Sequence, residues 1–225
     1  MGGRSKLAAL EAIALFLFIM GYIWIWRRTD PYLWIAILAC LFVSHVLRRE
    51  SARELGFGRE SLSECAHRFA PLLTILALAM LGGGLLLNTT RRIPSDQAFL
   101  ALFAYIPWGV LQQYMLNGYF LNRFDRVLSP STSGWLTAAL FGVVHTPNWF
   151  LMIVAVLGGW CATKVYRAHR NLYFLGMAHA AIGFLLFVNV PDSISHHLEV
   201  GPGMLRRHVE QALYNRPHDF SHLSR

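Results

Sequence analysis

Two adjacent glutamines, Gln112 and Gln113, and an asparagine four residues on, Asn117, interrupt the apolar run "WGVLQQYMLNGYFLNRF". Amide side chains in hydrocarbon must find hydrogen-bond partners or cost free energy. Two histidines stand in similar surroundings, His145 in "FGVVHTPNW" and His179 in "GMAHAAIG". An amide can orient a water or a peptide carbonyl, and a neutral imidazole can accept or donate a proton. Brought to one place, these groups could line one polar pocket in the bundle core. On a helix Gln113 and Asn117 share a face, and Gln112 is turned by about 100° from Gln113. Each residue alone also fits interhelical hydrogen-bonding glue, at about 0.6–2 kcal/mol. Spacing leaves glue and a common polar pocket both open.

The elements that must position these groups follow from composition. The chain has 225 residues, of which 55% are hydrophobic and 14% charged, against about 25% charged in soluble domains. Mean hydropathy is +0.42, and the charges fall between long apolar runs. This is the pattern of an all-α, polytopic transmembrane bundle. At about 20 residues per span, seven segments qualify: roughly 7–26, 31–47, 70–88, 98–121, 133–146, 148–166 and 171–190. The fifth is short, and Pro147 breaks it from the sixth, so the pair is a tight hairpin or two tilted helices. The first is too long for a signal-peptide core and runs into Trp26-Arg27-Arg28 without a small-residue cleavage site, which reads as a retained helix.

The net charge of +8 is spread as basic pairs at segment ends. It implies membrane lipids as partners and no nucleic acid. Arg4, Lys6, Arg48, Arg49, Arg53, Arg59, Arg68, Arg123, Arg126, Lys164, Arg167 and Arg170 fall on one side. Arg27, Arg28, Arg91 and Arg92, with Arg206 and Arg207 in the tail, fall on the other, so the amino terminus is expected on the cytoplasmic side of the cell membrane. In the connection 48–69, "SLSE" predicts a capping box with Ser61 as N-cap and Glu64 reaching back. His45, at the end of the second span beside Arg48, is expected among the headgroups. After Pro191 the chain is polar, with Leu205, Val209 and Leu213 on one face of a short amphipathic helix. Cys40, Cys65 and Cys161 are isolated, which suggests neither a disulfide framework nor a structural zinc site. Glu11 is the one carboxylate inside the assigned spans; Asp125 and Asp192 lie at span ends.

The polar positions resemble the motifs of the CAAX protease and bacteriocin-processing family of membrane proteins, which includes the type II CAAX prenyl proteases. Those motifs run E-E-x-x-x-R, F-x-x-x-H and H-x-x-x-N on separate helices. Here "QQYMLN" occupies the first, "FGVVH" matches the second in full, and "HAAIG" occupies the third. The "LGFGRESL" connection and the continuation from His145 to Asn148 are also similar. The resemblance covers about residues 48–190, leaving 1–47 as two amino-terminal helices and 191–225 as a polar tail. It implies peptide hydrolysis of the glutamic type, in which glutamate and histidine activate water while histidine and asparagine stabilise the oxyanion. In this chain both glutamates are glutamine, the arginine is Asn117 and the asparagine is Gly183. A glutamine can hydrogen-bond a water but cannot take its proton, and general-base catalysis is typically worth about 10²–10⁴ in rate.

The resemblance assigns the catalytic positions to His145, His179, Gln112 and Gln113, and substrate contacts to Asn117, Asn148 and Phe141. Three readings follow. One is an endopeptidase with His145 as base, Gln112 orienting water and His179 aiding the oxyanion. Another is a non-hydrolytic relative that binds a membrane-inserted or lipidated peptide as immunity factor, chaperone or regulator. In the third, His145 and His179 carry a metal or haem, but neither helix has a second ligand at suitable spacing and zinc sites want more ligands. No cofactor is expected.

Overall fold

In hydrocarbon every backbone amide must be satisfied internally, and the apolar runs of this chain meet that requirement as helices. The computed structural model describes residues 3–207. Helix α1 (Gly3–Gly21) widens into a π-helical turn (Tyr22–Trp26) and is followed by α2 (Leu33–Arg48) and α3 (Leu62–Leu86). Helix α4 (Ser95–Gln113) continues through a π-helical segment (Tyr114–Leu121) into a single turn, α5 (Asn122–Phe124). Then come α6 (Pro130–Val143), α7 (Trp149–His169), α8 (Leu172–Asn189) and a short α9 (Asp192–Ser195) leading to a 3₁₀ turn (His196–Leu198). Residues 202–207 are again helical; Val209 and Leu213 of the expected tail helix lie outside the described residues.

Helices thus stand at all seven expected places. Among the described residues, five segments are long and apolar enough to cross a bilayer: Lys6–Trp26, Leu62–Leu86, Ser95–Phe124, Trp149–His169 and Leu172–Asn189. Helices α2 and α6, at 16 and 14 residues, are shorter. Of the spans, α8 is the most enclosed and α3 the least. Leu72, Ile75, Leu78 and Leu85 of α3 are exposed, as are Cys40 and Cys161, whereas Cys65 is buried.

The central contact is α8 against α4, and glycines permit it. A Cβ on Gly109 would lie 2.5 Å from the Gly176 carbonyl oxygen, and one on Gly176 would lie 2.4 Å from Val110 Cγ2. Small residues let membrane helices approach this closely. The approach sets α4 and α8 near enough for side chains one turn further along each to hydrogen-bond. The π-helical segment sits where α4, α6, α7 and α8 meet. Leu116 to Leu121 are all buried, so every side of that helix is covered by protein.

The connection from Arg49 to Ser61 straps the end of the bundle at which α8 begins. Tyr166 Oη donates to the Leu55 carbonyl at 3.0 Å, and Arg170 Nη2 to the Glu54 carbonyl at 2.8 Å. Leu172 N donates to the Gly56 carbonyl at 2.8 Å. Gly56 has φ +97°, with the Tyr166 ring 2.8 Å and Leu172 Cγ 3.0 Å from where a Cβ would stand, so glycine suits both the backbone and the space. Helix α3 begins eight residues before its apolar run, at Leu62. Ser61 is at its N-cap, but the expected capping box does not form. Ser61 has near-helical torsions, φ −88° and ψ 0°, rather than the extended backbone a capping side chain needs. Its Oγ instead accepts from Asn171 Nδ2 at 3.3 Å.

Candidate functional site

Gln113, Asn117 and His179 form one hydrogen-bonded chain. Asn117 Nδ2 donates to Gln113 Oε1 at 2.8 Å, and Gln113 Nε2 lies 3.2 Å from His179 Nδ1. The direction of the chain fixes the protons. Gln113 spends its oxygen on Asn117, so its amide nitrogen donates, and His179 Nδ1 must accept. His179 therefore carries its proton on Nε2. Gln113 and Asn117 are buried and His179 half-buried. His179 lies seven residues into α8, about 10 Å from its start at 1.5 Å per residue.

His145 follows the last turn of α6. Beyond a helix end the last carbonyls lack backbone partners, and the Phe141 carbonyl takes the ring instead, 2.7 Å from His145 Nδ1. A carbonyl only accepts, so His145 is protonated on Nδ1 and offers the bare lone pair of Nε2. The Phe141 ring contacts both histidines, with centroids 5.0 Å from His145 and 6.1 Å from His179. One imidazole thus presents a lone pair and the other an N–H. Such a pair can bridge a polar group with both donor and acceptor character, a water or an amide among them.

Gln112 is half-buried, and its Oε1 is a buried oxygen without a hydrogen-bond partner among the described residues; Asn117 Oδ1 is another. Both can still accept. The structure does not join Asn148 to this chain. Its Oδ1 accepts from Leu151 N at 3.1 Å, capping α7, and its Nδ2 donates to the carbonyls of Ser195 and Glu199 at 2.8 and 3.1 Å. Asn148 is therefore a joint between α7 and the carboxy-terminal segment, with its amide fully used. At the third motif's last position, a Cβ on Gly183 would lie 3.2 Å from the Tyr105 ring.

A second polar centre, which the sequence reading did not foresee, ties α1, α2 and α5 together near the strapped end. Arg123 is 0% exposed. It grips Glu50 with two hydrogen bonds, Nη1 to Oε1 at 2.7 Å and Nη2 to Oε2 at 2.8 Å. It also donates to Ser44 Oγ at 2.9 Å, and its guanidinium lies 4.8 Å over the Tyr119 ring. Glu11 accepts from Tyr119 Oη at 2.8 Å and pairs with Arg48. Glu11 is thereby committed to structure. His45 is buried rather than lodged among headgroups, its Nδ1 2.6 Å from Glu50 Oε2. The connection after α2 carries Glu50 back into the bundle, and His45 is enclosed with it. Burial pushes the Glu50 carboxyl up, but hydrogen bonds from Arg123 and His45 and the charges of Arg123 and Arg126 outweigh it. The carboxyl is held at about 2. A signal for this centre was present in "FLNRFD": Arg123 follows an apolar run and is itself followed by Phe124 on the same helix.

Comparison with known proteins bears on the same positions. No curated protein and no solved structure matches the chain. Residues 94–185 match the family model described as type II CAAX prenyl endopeptidase Rce1-like. That segment contains Gln112–Asn117, Phe141–His145 and His179–Gly183, and it stops short of the strap and the tail. Over residues 94–185 this chain is thus similar to the type II CAAX prenyl endopeptidase model, with the second motif intact and the first and third altered.

Proposed function

We propose that this multi-pass, CAAX-protease-type membrane protein binds a membrane-inserted or lipidated peptide without hydrolysing it, as an immunity factor, chaperone or regulator of that peptide. The contacts are made by Gln112, Gln113, Asn117, Phe141, His145 and His179. The observation that carries this reading is the hydrogen-bond direction at Gln113. Where relatives hold a glutamate, an amide donates to His179 and accepts from Asn117, and neither atom can take a proton from water. His145 has a free lone pair, but behind it stands a neutral carbonyl. An imidazolium formed by proton abstraction would have no carboxylate at its Nδ1 to stabilise it. The unpartnered oxygens of Gln112 and Asn117 suit the N–H groups of an extended peptide backbone.

One observation favours slow hydrolysis as a second reading. The two histidines offer the complementary lone pair and N–H that water activation and oxyanion binding need, with His145 as base and His179 as donor. A photoreactive, single-span peptide in liposomes tests binding directly. Crosslinks are expected on α4, α6 and α8 around Gln112 and Phe141, and unlabelled peptide should compete them away. Crosslinks confined to the exposed face of α3 would contradict a specific site.

The same proposal sets the strapped end in the cytoplasm, with the chain in the cell membrane. Contacts gather Arg48, Arg123, Arg126, Arg167 and Arg170 at that end, as the positive-inside rule wants. A protease-sensitive tag before Lys6 should survive in intact cells and be cut only after lysis; cutting in intact cells would reverse the orientation.

A further inference from the structure

On the face opposite the strap, the described carboxy-terminal segment folds back onto the end of the first span. Gly201 N donates to the Thr146 carbonyl at 2.7 Å. Gly201 has φ +68°, and Ile23 Cγ2 lies 2.8 Å from where its Cβ would be, so the backbone itself packs on the span. This docking brings two distant pieces of sequence together around a cavity of about 370 Å³, lined by Arg27, Glu199, Val200, Gly203, Arg206 and Arg207.

The charges around that cavity are unequal. Glu199 pairs with Arg207, whose Nε lies 3.1 Å from Glu199 Oε2. Arg206 makes only a long 3.4 Å contact from Nε to the Pro202 carbonyl. Neither Arg27 nor Arg206 has a carboxylate partner among the described residues. Two guanidiniums without a carboxylate partner among the described residues therefore line one concave space beside an internally paired third. The level is that of a membrane interface: Trp24, Trp26, Tyr32 and Trp34 are exposed around the same end of α1 and the start of α2, where amphipathic rings collect. A guanidinium matches phosphate oxygens with paired N–H donors, and a phosphodiester at this depth is a lipid headgroup.

We propose that this cavity is a binding site for the phosphate of an anionic phospholipid, held by Arg27 and Arg206, with the Arg207–Glu199 pair as its wall. Bound lipid fastens the carboxy-terminal segment to the first span. The proposal is independent of what the amide chain binds.

The test uses the full chain in nanodiscs of phosphatidylcholine containing a minority of phosphatidylglycerol, and reads retained lipid by native mass spectrometry. Wild type should retain phosphatidylglycerol over phosphatidylcholine by about ten-fold. Arg27→Gln with Arg206→Gln should abolish that preference. Arg28→Gln, which removes a neighbouring charge that does not line the cavity, should preserve it. Equal loss in Arg28→Gln would reduce the effect to the general surface field and overturn the site. Unchanged retention in the double variant would overturn it as well. Displacement of the lipid by inorganic phosphate would make it a small-anion site and contradict the lipid assignment.

Discussion

Arg123→Ala should be among the most damaging single substitutions in this chain, costing about 3–5 kcal/mol of stability. The substitution leaves Glu50, already withdrawn into the bundle, without its two-pronged partner, and removes the nearest cation on the other side of Glu11. Arg126 touches the same carboxylate but is 39% exposed, and Arg126→Ala should cost only about 0–1 kcal/mol. Thermal unfolding in detergent separates the two, and equal losses would refute a buried lock. Arg123→Met combined with Glu50→Gln should recover much of the loss, because the orphan charge is removed along with its partner. Acid offers a second handle on the same pair. Glu50 is held at about 2 against an ordinary 4.5, so the unfolded chain takes up its proton first. The Glu50 contribution is complete above 4.5 and drains away as pH falls towards 2. Glu50→Gln should remove that component of the pH dependence.

Restoring the family's first motif should convert binding into turnover. Gln112→Glu with Gln113→Glu and Asn117→Arg supplies a general base, a change worth about 10²–10⁴ in rate. The arginine is needed as much as the glutamates. Gln113 is 4% exposed and Asn117 0%, so a carboxylate at 113 alone would be buried without a counter-charge. Gln113→Glu by itself should therefore lose stability and gain no activity. The third motif limits the gain, since Gly183→Asn would need the Tyr105 ring, 3.2 Å from the new Cβ, to give way. A triple variant that unfolds at the wild-type temperature yet shows no cleavage would mean that the site has left protease geometry altogether.

Helix positions were legible because hydrocarbon allows the backbone few alternatives, and the pairing of Gln113 with Asn117 followed from four-residue spacing. Sequence motifs also brought His179 to Gln113 before any distance was known. The π-helical widening at Tyr114–Leu121 leaves no comparable trace, since it answers to neighbours on all sides rather than to local propensity. Asn148 was singled out for its type, yet an asparagine immediately before an apolar run is also a helix N-cap signal, and that is the role it fills. Sequence places His45 among the headgroups and Arg123 among the basic residues of one side, because charges at span ends usually belong there, and gives Glu50 no assignment. Their burial depends on a connection that turns back into the bundle, and no periodic pattern records such a turn.

Wild-type protein in liposomes, given a membrane-inserted peptide and followed by mass spectrometry for both bound and shortened species, tests the central claim most directly. The expected result is peptide retained at full length on the protein, with His145→Ala leaving its mass unchanged. Shortened peptide produced by wild type and abolished in His145→Ala would mean that the two histidines hydrolyse without a glutamate, and the non-hydrolytic reading would fall.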